Sequence, residues 1–471
     1  MPYYISFIVL IISVLALYVA TTKLNYTILE GLTILLVTIE FLSLLFWITL
    51  IIGYTIRPLE VLAVLSTSIW GSIQWATPIL LLLILYSWIL NPLIQKYIDL
   101  LRRYAPRVYY MIFRLRKSID SPISISFNEK ILLFLGLILS IILYTIPYLP
   151  TINPRGVPVN VDWIYYYRWL NNMDKEGFMW AFYERSDRFL YLWILYGLKQ
   201  LLHIDNYVLA VYHNIALSLI LTLSVWYFVK ELYGSRIAGL AALLTPLSHQ
   251  SLGFFYGGFQ ANHFTLSLMY VAMGLLVKPS PKRIIMSTII LALTPFMHPW
   301  TWIHMVSAIV IYILYTWIKH RKVSSSHKIV IAAIIVIALT RQLIGGWVLQ
   351  PLRVIEPSPQ RIQGTLPLVK GLLHGFSYYL WGVLNIPLLY IYVVLALYAF
   401  NKSMDLLRSI YVASSIILPI AGTVPLIRLA INTPFEIDAV NVMSRRKCLL
   451  VLLIVVLLSN GLRMCVNSIG A

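Results

Sequence analysis

Charged residues are scarce in this sequence, and acidic residues are the scarcest of them. Of 471 residues only 11% are charged, and 17 Asp and Glu stand against 36 Lys and Arg. Soluble domains carry about 25% charged residues, whereas this chain is 60% hydrophobic with a mean hydropathy of +0.84. The composition excludes an ordinary soluble domain. It predicts an all-α polytopic membrane protein, because a membrane-spanning helix satisfies its own backbone hydrogen bonds.

Cysteine is almost absent, and no cleavable signal segment is evident. The two cysteines, Cys448 and Cys465, are 17 residues apart, about 25 Å along a helix, which is too far for a disulfide. The first apolar run has neither a basic leading segment nor a small-residue cleavage site, so we expect it to be retained. The sequence also lacks a repeat of fixed period and an inverted symmetry of the transporter kind.

The net charge of +19 is concentrated in short loops between apolar runs. These loops contain 21 Lys and Arg against four acids, which is the positive-inside pattern of a multi-pass membrane protein. The basic residues form no continuous face with interleaved aromatics, so the pattern excludes nucleic acid as a partner. Membrane lipids are the expected surroundings.

Apolar runs of about 20 residues predict 13 or 14 membrane-crossing helices. With the basic loops inside, 129–148 leaves the inner side and 207–229 returns to it, so the apolar segment 188–204 between them does not cross. We expect it to lie in the outer interface. The same count makes 427–443 a short, polar inward crossing. The other predicted spans are 5–21, 28–53, 60–90, 237–250, 260–277, 284–297, 301–318, 329–347, 378–400, 409–425 and 447–462.

The basic loops also divide the chain into regions. Residues 1–92 form an N-terminal module of three spans, and 93–128 form a basic, amphipathic cytoplasmic linker. Residues 129–443 form the membrane core with an outer loop at 149–206, and 444–471 hold a last crossing and a tail. Within the first module, Glu40 and Gln74 fall near mid-bilayer, where they form either a structural hydrogen bond or part of a proton or substrate path.

The outer loop contains the acids that are candidates for chemistry. Asp162 follows a span directly and is surrounded by aromatic residues, a setting in which a carboxylate can act as a general base. Glu184 and Asp187 are candidates for acid or metal support, with Mg²⁺ or Mn²⁺ as the candidate cofactor. The alternative is a solvated loop in which Ser186 and Asp187 cap the following helix.

Histidine and arginine supply further candidates on the outer side. His249 and His298 are predicted to end adjacent outward spans, where they could share a proton or a metal, although no HExxH spacing supports a metal. The alternative is that they bond interfacial carbonyls. Arg341, Arg353 and Arg428 are candidates for binding a lipid phosphate, the alternative being that they snorkel to the interface.

Several segments resemble the GT-C superfamily of membrane glycosyltransferases. They include the outer-loop sequence NVDWIYYYRWL, the interfacial segment DRFLYLWILYGLKQLL, and then VYHNIALSLILTLSVWYFVKELYGSRIAGLAALLTPLSHQ. The segments FYGGFQANHFTLSLMYVAMGLL and PLIRLAINTPF are similar to those of archaeal-type members. The similarity covers about residues 129–443.

The resemblance implies a GT-C-like helical bundle in the cell membrane, with its active site facing outside. It implies a polyprenyl-phosphate (for example dolichyl-phosphate) sugar donor and a glycan, lipid or protein acceptor. Asp162 would be the base or a metal ligand, and Arg428 would lie near the lipid phosphate. Trp163 and Tyr166 would contact the sugar or anchor the loop in the interface.

Two departures from the family pattern refine this expectation. No second carboxylate lies beside Asp162, which argues for a lone base and against a metal pair. The WWDYG-type motif and large outer domain of oligosaccharyltransferases are missing, which argues against transfer of a whole oligosaccharide. We therefore expect an inverting glycosyltransferase. The alternatives are a catalytically degenerate protein of this fold and a lipid or polysaccharide transporter.

Overall fold

The computed structural model describes residues 128–321, 324–345 and 404–417, together with scattered positions within 431–465 and three isolated positions at 48, 52 and 106. The predicted modules 1–92 and 93–128 therefore lie almost wholly outside the described residues. All regular structure in the described part is helical, and it contains no strand. The prediction of an all-α protein is confirmed there.

Twelve α-helices are described, and short 3₁₀ turns extend three of them. They are α1 (Glu129–Thr145), α2 (Trp163–Glu176), α3 (Trp180–Glu184), α4 (Phe189–Leu202), α5 (Asn206–Tyr233), α6 (Ser235–Leu244), α7 (His249–Gly257), α8 (Gln260–Val277), α9 (Pro281–Leu293), α10 (Pro299–His320), α11 (Ser325–Gly345) and α12 (Leu406–Ile417).

Four of the described helices are long and apolar enough to cross a membrane, judged by length and composition. They are α1 with its following turn, α5, α10 and α11, and each coincides with a predicted span. On α1, Phe134 and Ile131 are exposed while Leu143 is buried, and α11 likewise exposes Leu343. Large apolar side chains on an outer surface are costly in water and suit contact with lipid, which indicates a membrane protein.

Helices α1, α5 and α6 pack closely against one another because small residues lie at their contacts. A Cβ at Gly136 of α1 would overlap the backbone carbonyl of Ala242 in α6, and Gly239 of α6 lies against the backbone of Glu129. Between α1 and α5, Ser140 Oγ lies 3.2 Å from Thr222 Oγ1. Small residues and hydroxyl pairs of this kind hold helices together where lipid gives no hydrophobic drive.

The predicted span 237–250 proves to be interrupted. Helix α6 ends at Leu244, the 3₁₀ turn Thr245–Leu247 follows, and α7 begins at His249. Ser248 caps α7, its Oγ accepting from the Ser251 N–H at 3.1 Å. Pro246 explains the break, since proline cannot donate the hydrogen bond that would continue α6. All nine residues of α7 are buried, so α7 is a short helix inside the bundle.

Residues 149–206, predicted as the outer loop, contain three helices, α2, α3 and α4, that share a small core of their own. Helix α4 has 14 residues, about 21 Å at 1.5 Å per residue, and is too short to cross a bilayer. This agrees with the prediction that 188–204 is not a crossing. One face of α4 is buried against α2, where Tyr191 and Leu192 pack with Tyr166 and Leu170.

Candidate functional site

Asp162 is held in place through its backbone. It directly precedes α2 and is partly buried. Its N–H donates to the Gly257 carbonyl at 3.2 Å, and the Val161 N–H donates to the Tyr256 carbonyl at 2.9 Å. Gly258, at φ +70°, lies so close that a Cβ there would be 2.8 Å from the Asp162 nitrogen. The loop before α2 is thus fixed to the C-terminal turn of α7.

The aromatic residues after Asp162 have different surroundings. Trp163 is partly buried and packs edge-on against Tyr207 of α5, with ring centroids 5.5 Å apart. Tyr166 is 1% exposed, and its hydroxyl accepts from the Ala261 N–H of α8 at 3.1 Å. Of these two predicted sugar or interface contacts, Trp163 is therefore the more accessible, while Tyr166 joins α2 to α8.

Three of the predicted site residues line one cavity of about 360 Å³. These residues are Glu184, Asp187 and His298, which come from the segment between α3 and α4 and from the start of α10. Glu184 is exposed, whereas the other two are buried. The remaining lining is contributed by Arg185, Ser186, Arg188, Pro299 and Trp300. The structure thus brings His298 beside two acids and two arginines that all lie within residues 184–188.

Asp187 is neutralised by the two arginines beside it. Its Oδ2 lies 2.6 Å from Arg188 and 3.3 Å from Arg185. Burial alone would raise the pKa of Asp187, but attraction to Arg188 and then Arg185 outweighs it and holds the pKa below its usual range. The expected cap of the following helix is not formed, since Arg188 occupies the cap position without a side-chain bond. The Asp187 carboxylate instead forms ion pairs with Arg185 and Arg188.

The two arginines stack on one aromatic ring. The guanidinium carbons of Arg185 and Arg188 lie 4.2 and 5.1 Å from the centroid of the Trp169 ring on α2. Burial and then repulsion by Arg188 lower the pKa of Arg185. Burial would also lower the pKa of Arg188, but attraction to Asp187 outweighs it and raises this pKa. Two guanidiniums therefore face the Asp187 carboxylate, while Glu184 supplies a second, exposed carboxylate to the same cavity.

Arg341 reaches this wall from inside the bundle. It lies on α11, is 0% exposed, and donates through Nη2 to the Ser186 carbonyl at 2.6 Å and through Nε to the Pro295 carbonyl at 3.2 Å. Its guanidinium also lies 5.2 Å from the Phe296 ring centroid. The guanidinium therefore supports the cavity segment from behind instead of pointing to the membrane surface.

His298 and His249 have separate partners in the structure. His298 precedes α10, and its Nδ1 lies 2.7 Å from Thr301 Oγ1. His249 does not end a span as predicted but begins α7, with Nδ1 3.2 Å from Glu436 Oε2. Within the described part of the chain, no group of three His, Cys, Asp or Glu side chains is placed to hold a metal ion.

Two predicted site residues, Arg353 and Arg428, lie outside the described residues. Conversely, sequence reasoning missed Arg185, Arg188 and Trp169. The signal available for the arginines was their position on either side of Asp187 in the segment ERSDR, which places two cations around one acid. Nothing in the sequence indicated that Trp169, some 16 residues earlier, provides the ring on which they stack.

The sequence matches no protein-family model and no curated protein. The similarity to GT-C glycosyltransferases therefore rests on the layout of the segments quoted above.

Proposed function

We propose that this protein is a membrane glycosyltransferase of GT-C type. It would transfer a sugar from a polyprenyl-phosphate-linked donor to an acceptor hydroxyl at the extracytoplasmic membrane face, with inversion at the anomeric carbon. The observation that supports this most is the arginine-lined cavity in the outer loop. A phosphate group is the natural ligand of paired guanidiniums.

The donor phosphate would bind at Arg185 and Arg188, with Arg341 holding the Ser186 carbonyl in place behind them. Together with Arg341, the two arginines give three guanidiniums against the carboxylates of Asp187 and Glu184, so an anion beside them would meet a net attraction. The site lies beside α4, an apolar helix of 14 residues suited to the membrane interface. A lipid tail could therefore remain in the bilayer while its phosphate enters the cavity. Arg353 and Arg428 stay candidates for the same phosphate.

Asp162 would act as the base. It directly precedes α2, seven residues before Trp169. Helix α2 thus connects Asp162 to the ring on which the two arginines stack. In the reaction, the hydroxyl oxygen bonds to the anomeric carbon, its proton passes to the Asp162 carboxylate, and the polyprenyl phosphate leaves with the bonding electrons.

A divalent cation does not fit the residues at the cavity. The Asp187 carboxylate already bonds two guanidiniums, and Glu184 is exposed. The histidine of the cavity, His298, is engaged by Thr301. The reaction that we propose therefore uses no metal ion at this cavity.

The experiment is a sugar-transfer assay on the protein reconstituted in membranes. Asp162→Asn should lower the rate at least about 100-fold, because a general base contributes about 10²–10⁴-fold. Glu176→Gln is the matched control, since Glu176 is an exposed carboxylate on the same helix and should leave the rate unchanged. A normal rate for Asp162→Asn would exclude its role as base.

A transporter is the second candidate function. The buried pair of His249 and Glu436 supports a transport function, because ionisable residues deep in a membrane protein often lie on a transport path. If Asp162→Asn retains full activity and Glu436→Gln abolishes movement of a lipid-linked glycan across vesicles, the transporter replaces the transferase. If Glu436→Gln leaves such movement unchanged, the transporter is excluded.

A further inference from the structure

The segment that joins α2 to α3 and continues through α3 exposes large apolar side chains. Phe178, Met179 and Tyr183 are 54%, 37% and 72% exposed. They belong to the uncharged run GFMWAFY, residues 177–183, which lies between the charged residues Glu176 and Glu184. Exposed apolar side chains that are grouped in this way mark a surface that contacts lipid or another protein.

The 177–183 segment is a fixed structure. Gly177 has φ +87°, a conformation that favours glycine, and it ends α2 so that the chain can turn. The Trp193 Nε1–H of α4 donates to the Phe178 carbonyl at 2.8 Å, and the centroids of these two rings lie 5.6 Å apart. The Trp180 N–H donates to the Gly177 carbonyl at 3.1 Å. The exposed apolar side chains are therefore presented on a firm support.

A set of ring contacts joins this segment to the apolar helices of the bundle. Trp193 packs edge-on against Phe189 with ring centroids 4.9 Å apart, and the Phe189 centroid lies 5.5 Å from that of Phe296. Phe296 ends the 3₁₀ turn that follows α9, and its ring lies 5.2 Å from the Arg341 guanidinium on α11. The 177–183 segment is thus connected to the C-terminal ends of α9 and α11.

Helices α9 and α11 each expose an apolar face that reaches these ends. The exposed residues recur at intervals of three or four positions, so they lie on one side of each helix. They are Ile285, Ile289 and Leu293 on α9, and Val336, Leu339 and Leu343 on α11. Because α11 is long and apolar enough to cross a membrane, lipid is the natural partner of these faces.

We propose that Phe178, Met179 and Tyr183 insert into the lipid bilayer beside the bundle. Lipid is the partner that fits, because the segment adjoins helix ends whose apolar faces suit lipid and because the Tyr183 hydroxyl is the one hydroxyl among the three side chains. Aromatic rings with a polar tip are favoured at the boundary between headgroups and acyl chains. Glu176 and Glu184 mark the two points at which the chain returns to water.

Insertion sets the height of the cavity relative to the membrane. Residues 184–188 line the cavity and directly follow the inserted segment. The cavity is therefore held at the level of the lipid headgroups. The sequence predicted that α4 alone lies in the interface, and the structure adds the 177–183 segment to it. The inference rests on exposure and ring contacts and does not depend on the proposed glycosyl transfer.

Spin labelling of the full-length protein in phosphatidylcholine vesicles tests the proposal. A nitroxide is attached to Phe178→Cys or to Tyr183→Cys, after Cys448 and Cys465 have been replaced by serine. Collisions of the nitroxide with oxygen, which concentrates in lipid, are compared with collisions with a water-soluble nickel chelate. Both labels should collide more often with oxygen, and their depth should be about 5–10 Å into the boundary between headgroups and acyl chains.

Two further labelled variants serve as controls. Leu343→Cys places the label on the apolar face of α11, where Leu343 is 87% exposed, and it should favour oxygen. Arg155→Cys places the label on an exposed charged residue of 149–206, and it should favour nickel. The two test positions are labelled separately and both side chains are largely exposed, so a folding defect in one variant leaves the other to decide.

Two outcomes would overturn the proposal. In the first, the labels at 178 and 183 behave like the label at Arg155→Cys, which would place the segment in water. In the second, they are shielded from oxygen and nickel alike, which would show that a protein partner or a second copy of this chain covers the segment. Because neither readout uses sugar transfer, the result is independent of the proposed function.

Discussion

The cavity lined by Arg185, Asp187 and Arg188 and the buried pair of His249 and Glu436 both place ionisable side chains among apolar helices, but they differ in water access. At the cavity, Arg185 keeps 30% of its side chain exposed. At the pair, the imidazole and the carboxylate side chains are 1% and 4% exposed. Water and a dissolved anion can therefore reach the charged groups of the cavity, whereas water has almost no access to the pair.

We expect the largest effect on stability from removing Arg341, whose guanidinium bonds the Ser186 and Pro295 carbonyls. Arg341→Ala would leave the Ser186 and Pro295 carbonyls without their donor and would open a void beside Phe296. We expect the free energy of unfolding to fall by about 3 kcal/mol, since bonds to a charged donor contribute about 1.5–3 kcal/mol each. Chemical unfolding in detergent measures this change.

Arg155→Ala is the control for that measurement. Arg155 is an exposed arginine of the same outer loop, and its loss should change stability by less than about 0.5 kcal/mol. Equal effects of the two variants would show that Arg341 does not hold the cavity segment.

A smaller effect is expected from the acid of the cavity. Asp187→Asn should lower the free energy of unfolding by about 1–2 kcal/mol near neutral pH, because Arg185 and Arg188 lose their compensating charge. The pKa of Asp187 is lowered in the folded protein. Its stabilising contribution is therefore present above the unfolded pKa of about 3.9 and lost as the pH falls through the folded pKa.

Unfolding of the wild type and Asp187→Asn over a pH series measures this. The two curves should be separated at neutral pH and converge on acidification below about pH 4. A constant separation across the series would contradict the assignment of Asp187 as an ionised partner of the two arginines.

The helices that could be predicted from the sequence are those formed by uninterrupted apolar runs. The helices α1, α5, α10 and α11 coincide with predicted spans, and α4 is shorter than these four, as the parity argument leads one to expect. The interruption between α6 and α7 was missed because the run 237–250 was predicted as one span, although Pro246 was a signal for the break in the sequence. The Tyr144 hydroxyl donates to the Pro246 carbonyl at 2.6 Å, a contact that the sequence does not indicate.

The candidate site was predictable in its residue types but not in its groupings. Glu184, Asp187, His298 and Arg341 were each identified on the predicted outer side. The first three line one cavity, and Arg341 donates to the Ser186 carbonyl behind it. His249 was predicted to end a span on the same side, but it begins α7 and lies beside Glu436, nearly 190 residues later. Pairings over such distances depend on tertiary packing, which a single sequence does not encode locally.

The most direct test of the account is the binding of polyprenyl phosphate to the purified protein. Arg185→Gln/Arg188→Gln should weaken binding about 10- to 100-fold, consistent with the loss of charge-assisted bonds. Arg155→Gln should bind like the wild type, and neutral polyprenol should not distinguish the proteins. Unchanged affinity of the double variant for polyprenyl phosphate would contradict the account, because the cavity would then not be the phosphate site.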